Sequence, residues 1–240
     1  MKFDHIVGFG DSWMWGDELL NPELEDHPHA HPVLIENTKY RERYCFLGLL
    51  GEHYQVPVQN YGWPGSSNLS SMLIYTWWLE NIALENCLVL VALTEPGRTS
   101  FYNPKHRSYA NDPPWNRYVH SAWQVADNPN LDAEWADLVK LHTVLTDNQY
   151  IRCLTMKQTM LFFAGQNKLK HRVMQFLSIP SHCNVTGHDA LFDGDNLSNM
   201  LSKHPDYKNL FAPRFHPNEA GHRVIRDFLI KEIDHAILTE

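Results

Sequence analysis

Three short stretches of the chain carry residue types that can do covalent chemistry. In VGFGDSWMWGDEL (7–19), Ser12 follows an apolar run through Gly8, Phe9, Gly10 and Asp11. That order puts a hydroxyl at the C-terminal end of a strand, in a glycine-assisted turn whose backbone N–H groups can stabilise an oxyanion. Gly, Asp and Ser also form turns for purely local hydrogen-bonding reasons, so the triplet by itself marks only a turn. In QNYGWPGSSN (59–68), Gly65 stands at a strand-to-helix junction, from which its N–H can point into the same crevice. In RFHPNEAGH (214–222), His216 comes just before a terminal helix and reaches the same end of the sheet if that helix packs back against it. A hydroxyl, a base and paired N–H donors are the parts that acyl transfer requires.

Bringing those residues together needs strands that end side by side. Apolar runs of strand length recur from Phe3 to Phe9 and at VPVQNYG (56–62), CLVLVAL (87–93) and RVMQFLSIP (172–180). Tyr40, Tyr44, Leu47, Leu50 and Tyr54 fall at helical spacing and predict a helix over 38–54. Leu69, Met72, Leu73, Thr76, Leu79 and Ala83 predict another, with Ser66 or Ser67 as its N-cap. Residues 216–238 predict a terminal helix with Pro217 in its first turn and an apolar stripe of Val224, Ile225, Phe228, Leu229 and Ile233. Strands alternating with helices predict an α/β fold, a three-layer α/β/α sandwich around a parallel sheet. The alternation breaks at about 98–170, a stretch rich in Pro, Asn and aromatic residues before a helical pattern resumes. It reads as an insertion between the third and fourth strands of a single domain over 1–240, placed where an open α/β sheet puts its ligand site.

Taken together, the three motifs resemble the SGNH (GDSL-type) hydrolase family. They occur in the family's order and span the chain, although only these three places are specific. The resemblance implies a flavodoxin-like α/β/α sandwich with a five-stranded parallel sheet. Residue by residue, it implies Ser12 as nucleophile and first oxyanion donor, Gly65 as second donor and His216 as general base. It implies no cofactor and no metal. Its activity would be hydrolysis of an ester, an O-acyl or O-acetyl group that a carbohydrate could carry, through an acyl-enzyme. The alternative is a catalytically weakened module of the same fold that binds a carbohydrate or other ligand.

Two departures from the family pattern motivate that alternative. The family's third block supplies an oxyanion-hole Asn, where this chain reads ALTEPGR (92–98). Thr94, Arg98 or Asn68 are the candidate replacements, and an Arg would donate a charge-assisted bond. The family also places an Asp three residues before the His, where this chain has Pro213. Asp206, Asp193, Asp195 and Glu95 are the candidate acids, unless a backbone carbonyl orients His216 in a dyad.

The remaining polar residues near the motifs have plainer readings. Asp11 is expected to brace the Ser12 turn and His222 to cap or pack; Gly16-Asp17-Glu18 is close enough in sequence to reach the site but reads as a solvated loop. His27, His29 and His31 in EDHPHAHP (25–32) alternate along a Pro-broken loop and are not assigned a metal. Trp13 and Trp63 adjoin the motifs and are candidate substrate-binding faces, as is Trp15, whereas Trp135 and the Trp77-Trp78 pair read as core.

Composition excludes several partners. The formal net charge is −8 over 240 residues, which disfavours nucleic acid, since phosphate binding rests on clustered Lys and Arg. No run approaches the roughly 18 apolar residues of a membrane span and no signal-like segment leads the chain, so a cytoplasmic protein without a membrane partner is expected. Cys45, Cys87, Cys153 and Cys183 form no C-x-x-C pair and read as buried thiols. The expected partner is a small-molecule or carbohydrate ester.

Overall fold

Ile6 to Gly10 are buried without a break, as a strand with a helical layer on each side must be. The computed structural model describes residues 3–24, 35–82, 84, 86–94, 99–102, 118–121, 170–175 and 196–239. In chain order its strands are β1 (His5–Gly10), β2 (Val58–Gly62), β3 (Cys87–Leu93), β4 (Thr99–Tyr102), β5 (Tyr118–Ser121) and β6 (Lys170–Gln175). Its helices are α1 (Ser12–Trp15), α2 (Ile35–Tyr44), α3 (Phe46–Tyr54), α4 (Asn68–Asn81), α5 (Leu197–Ser202) and α6 (Glu219–Thr239).

The order β2-β1-β3-β6 forms one parallel sheet, and β4 and β5 form a separate antiparallel ribbon. Strand alternation sends side chains to two different cores. Ile6 of β1 and Leu88, Leu90 and Ala92 of β3 face a core completed by Phe46, Leu47 and Leu50 of α3, Leu197 and Leu201 of α5, and Ile225, Leu229 and Ile233 of α6. Val7, Phe9, Cys87 and Val89 face the other way, onto Ile74, Tyr75 and Trp78 of α4. Helices therefore cover both faces of the sheet, and the α/β/α sandwich expected from the sequence is the architecture found. Phe9 anchors the second core, stacked on Tyr61 at 5.3 Å and edge-on to Tyr75 and Trp78.

The structure redraws several boundaries. The helix expected over 38–54 is two helices broken at Cys45, whose backbone is extended (φ −67°, ψ 157°). The break leaves the Phe46 N–H without an intrahelical acceptor, and Nδ1 of His222 takes it at 3.2 Å. His222 thus caps α3 from α6 while its ring lies against Phe46. Pro217 is not in the first turn of α6. It forms a bridge with Phe211 instead, and Asn218 precedes the helix with Oδ1 accepting from Gly221 N at 3.0 Å. The first strand starts at His5 because Phe3 packs on Tyr54 instead of joining the ladder. The strand expected over 172–180 is β6, Lys170–Gln175. Ser67 caps α4, accepting from Ser70 N at 3.2 Å. Within the 98–170 stretch, the described residues are the β4–β5 ribbon and Lys170, and the helices expected there lie outside the described residues.

His222 is fully buried, and this burial, helped by nearby His216, holds its imidazole down at about 3 against an ordinary 6.5. The unfolded chain binds a proton there below pH 6.5 that the folded chain refuses. Stability from this residue is therefore complete above about pH 6.5 and declines as pH falls toward 3, by at most about 1.4 kcal/mol per pH unit. Urea denaturation at pH 7, 6, 5 and 4 should show His222→Gln losing stability with acid less steeply than the wild type. Parallel curves would contradict this account.

Candidate active site

β1 ends at Gly10, and the chain turns at once into α1. Asp11 caps that four-residue helix, its Oδ1 accepting from Trp13 N at 3.0 Å. Its other oxygen accepts from Thr94 Oγ1 at 2.7 Å. Thr94 N in turn donates to Asn68 Oδ1 at 2.9 Å, and Asn68 Nδ2 donates back to Thr94 O at 2.9 Å. This buried chain of bonds ties the ends of β1 and β3 to the start of α4 directly below Ser12. α1 fits so close to the sheet only because β2 ends in glycine: a Cβ on Gly62 would stand 2.6 Å from the Trp15 backbone N.

Gly16 closes α1 in the left-handed conformation (φ 80°), and the N–H groups of Gly16 and Asp17 both reach Ser12 O, at 3.0 and 2.9 Å. The reversal carries Asp17 and Glu18 back alongside Ser12. Glu18 is itself left-handed (φ 64°), which costs a non-glycine residue about 1–2 kcal/mol. Asp17 Oδ1 supports it by accepting Glu18 N at 3.1 Å.

The imidazole arrives from the other end of the chain. Phe215 N donates to Ala212 O at 2.9 Å, closing a turn with Pro213 at its second position, where a fixed φ suits the geometry. Pro213, which displaces the expected acid, is thus the corner that presents His216. The Glu18 carboxylate holds this turn: Arg214 N donates to both of its oxygens at 3.1 Å, and His216 N donates to Oε2 at 3.3 Å. His216 Nδ1 lies 2.8 Å from Glu18 Oε2, and His216 Nε2 lies 3.0 Å from Ser12 Oγ. A carboxylate only accepts, so Nδ1 carries the proton and the Nε2 lone pair faces the serine hydroxyl. The carboxylate side chain is 16% exposed and the imidazole 19%, so solvent screens the pair less than it would a surface ion pair.

Gly65 occupies the third position of a turn closed by Ser66 N donating to Trp63 O at 3.0 Å, and its φ of 73° is what a type II turn demands there. Trp63 N donates to Gly10 O at 3.1 Å, which hangs this turn from the strand end that carries Ser12.

The structure therefore joins Ser12 to His216 and sets Gly65 beside the same strand end, and it corrects several other expectations. The carboxylate on His216 is Glu18. Asp206 is exposed at the start of the Tyr207–Asn209 turn and makes no bond to His216, while Asp193, Asp195 and Glu95 lie outside the described residues, as does Arg98. Gly16-Asp17-Glu18 is not a solvated loop. Asn68 and Thr94 are committed to each other, with one Asn68 amide hydrogen taken by Thr94 O. Trp13 is no open face: it is buried in the core against Phe211. Trp15 is likewise buried, under the Arg41 guanidinium 3.3 Å above its ring. Trp63 is 42% exposed and remains available to a ligand.

Phe215 was missed by sequence reasoning. It is 78% exposed and left-handed (φ 64°) beside His216, so an apolar ring is held in solvent at the rim of the site. Glu18 lay in a segment able to reach the site, but nothing local singled it out as the partner of His216, and nothing local marked Phe215 as exposed. His27, His29 and His31 lie outside the described residues, and among the described residues no group of His, Cys, Asp and Glu is placed to hold a metal. Cys45 and Cys87 are buried free thiols, and Cys153 and Cys183 lie outside the described residues. No helix among the described residues is long and apolar enough to cross a membrane.

Because Glu18 accepts from two backbone N–H groups and one imidazole, Glu18→Ala should lower stability by roughly 2–3 kcal/mol in urea denaturation. Asp206→Ala should stay within about 0.5 kcal/mol of wild type. Equal effects would show that the carboxylate does not hold the 212–216 turn.

No protein-family model and no curated protein matches the chain. Among solved structures it is similar to the lipase/acylhydrolase from Enterococcus faecalis, at 13% identity over 97% of this chain and 95% of that one, with a TM-score of 0.46. A protein from Lactobacillus plantarum is 12% identical over 98% of both chains, with a TM-score of 0.43. A putative lipolytic protein of the G-D-S-L family from Desulfitobacterium hafniense is 12% identical over 94% of this chain and 97% of that one, with a TM-score of 0.37.

Proposed function

We propose that this protein is a serine hydrolase that cleaves an ester, an O-acyl or O-acetyl group, through an acyl-enzyme. The observation that carries the reading is the run from Ser12 Oγ through His216 Nε2 (3.0 Å) and His216 Nδ1 to Glu18 Oε2 (2.8 Å). A hydroxyl, an imidazole and a carboxylate in this order are the parts of an activated nucleophile.

In this mechanism Ser12 Oγ attacks the ester carbonyl carbon as His216 Nε2 takes its proton. Glu18 holds the tautomer and stabilises the imidazolium that forms. The carbonyl oxygen becomes an oxyanion. The Ser12 N–H is suited to receive it, since the first N–H groups of a helix have no intrahelical partner. Gly65 N–H is the second donor, and the other amide hydrogen of Asn68 is the candidate third. Collapse breaks the bond to the alcohol, which leaves with the proton from His216. Water then attacks the acyl-enzyme with His216 as base, and Ser12 regains its proton. Trp63 and Phe215 provide exposed aromatic surface for the substrate.

Short p-nitrophenyl esters offer a direct test. Ser12→Ala should lower kcat by at least about 10⁴-fold, and Glu18→Gln by about 10²–10⁴-fold with KM little changed. A fluorophosphonate probe should label Ser12 stoichiometrically in the wild type and fail to label Ser12→Ala. Turnover that survives Ser12→Ala would remove Ser12 from the mechanism, and an unlabelled wild type would favour a binding module.

A further inference from the structure

The imidazole meets two carboxylates, and the mechanism uses only Glu18. Asp17 Oδ2 lies 3.6 Å from His216 Nε2, on the side that faces Ser12. Its Oδ1 is engaged by Glu18 N at 3.1 Å, which fixes the direction of the carboxylate. The side chain is 24% exposed, so the carboxylate is not closed off from solvent.

That position matters for the leaving group. To receive a proton from Nε2, the alcohol oxygen must come within about 3 Å of it. A hydroxyl one carbon further along the alcohol then falls within hydrogen-bonding range of a carboxylate oxygen at the Asp17 position. An alkyl chain at the same place would desolvate the carboxylate and give nothing back. A leaving group bearing its own negative charge would be repelled. The imidazole, 3.0 Å from Ser12 Oγ, already serves as the nucleophile's base in the proposed mechanism, which leaves Asp17 free for another role.

The geometry points to Asp17 as a specificity-determining residue that accepts a hydrogen bond from a hydroxyl adjacent to the ester oxygen, so that the substrate is the ester of a polyol or sugar. This inference rests on the reading of Ser12 as nucleophile and goes beyond it by assigning the alcohol side of the substrate. The exposed ring of Trp63 beside the Gly65 turn supplies the apolar face against which the C–H bonds of such an alcohol pack.

Matched esters separate the two readings. Glycerol 1-monobutyrate and propyl butyrate share the acyl group and carbon skeleton and differ only in hydroxyls. The wild type should favour the glycerol ester by about 10–100-fold in kcat/KM, the scale of a hydrogen bond to a charged acceptor. Asp17→Asn keeps the oxygen that receives Glu18 N and replaces Oδ2 with a donor. It should bring the ratio to within about threefold of unity. Propane-1,3-diol monobutyrate, which lacks the 2-hydroxyl alone, tests the wild type without any variant and should lose most of the preference. No preference in a wild type that labels at Ser12 overturns the role of Asp17 and leaves the hydrolase reading intact. A preference that survives in Asp17→Asn also overturns it. Failure of Ser12 to label at all removes both.

Discussion

One carboxylate holds the two ends of this chain together. Glu18 receives the Nδ1–H of His216 and the backbone N–H groups of Arg214 and His216, across separations of up to 198 residues. An ionised acceptor makes each of these bonds stronger than a neutral one, and its partial burial keeps them from being screened away. The imidazole has its orientation because of this contact. Without it, Nε2 would have no reason to face Ser12, and the turn through Pro213 would lack its main tether to the N-terminal segment. The left-handed backbone at both Glu18 and Phe215 is strain that the same set of bonds must offset.

Compression into one octapeptide gives the site its particular form. Asp11, Ser12, Asp17 and Glu18 all belong to the segment wrapped around α1, a helix of a single turn. That helix fits against the sheet because Gly62 has no side chain to meet Trp15. It is fixed below by the Asp11, Thr94 and Asn68 bonds and at its side by Arg41 on Trp15. Ser12 and Glu18 are therefore local neighbours set by one rigid turn, and His216 alone comes from the far end of the chain. Asp17 and Glu18 stand at the same imidazole, one beside each nitrogen.

The fold was largely legible in the sequence. The apolar runs at 87–93 and around Ile6 to Phe9 are strands, the stripe through Ile225, Leu229 and Ile233 is buried, and Ser67 is the cap of α4, because burial and capping act through local periodicity. Where the reading failed, a tertiary partner had overridden local preference. The helix over 38–54 breaks at Cys45 because His222, 176 residues away, accepts the N–H that the break releases. Pro217 looks like a helix start, and its bridge to Phe211 keeps it out of α6.

The site divides along the same line. Ser12, Gly65 and His216 stand in local frames that a sequence can specify: a strand end, a type II turn and a pre-helical loop. The carboxylate partner of the imidazole has no such frame. Asp206, ten residues from His216, was a reasonable candidate by proximity along the chain, yet it is exposed and makes no bond to His216, and the carboxylate that meets the imidazole comes from the turn that carries Ser12. The sequence by itself determined the layers and the local turns in which Ser12, Gly65 and His216 stand. Only the tertiary structure decided which carboxylate meets the imidazole, because electrostatic pairing depends on distance in space, and no local pattern encodes a contact between residues 18 and 216.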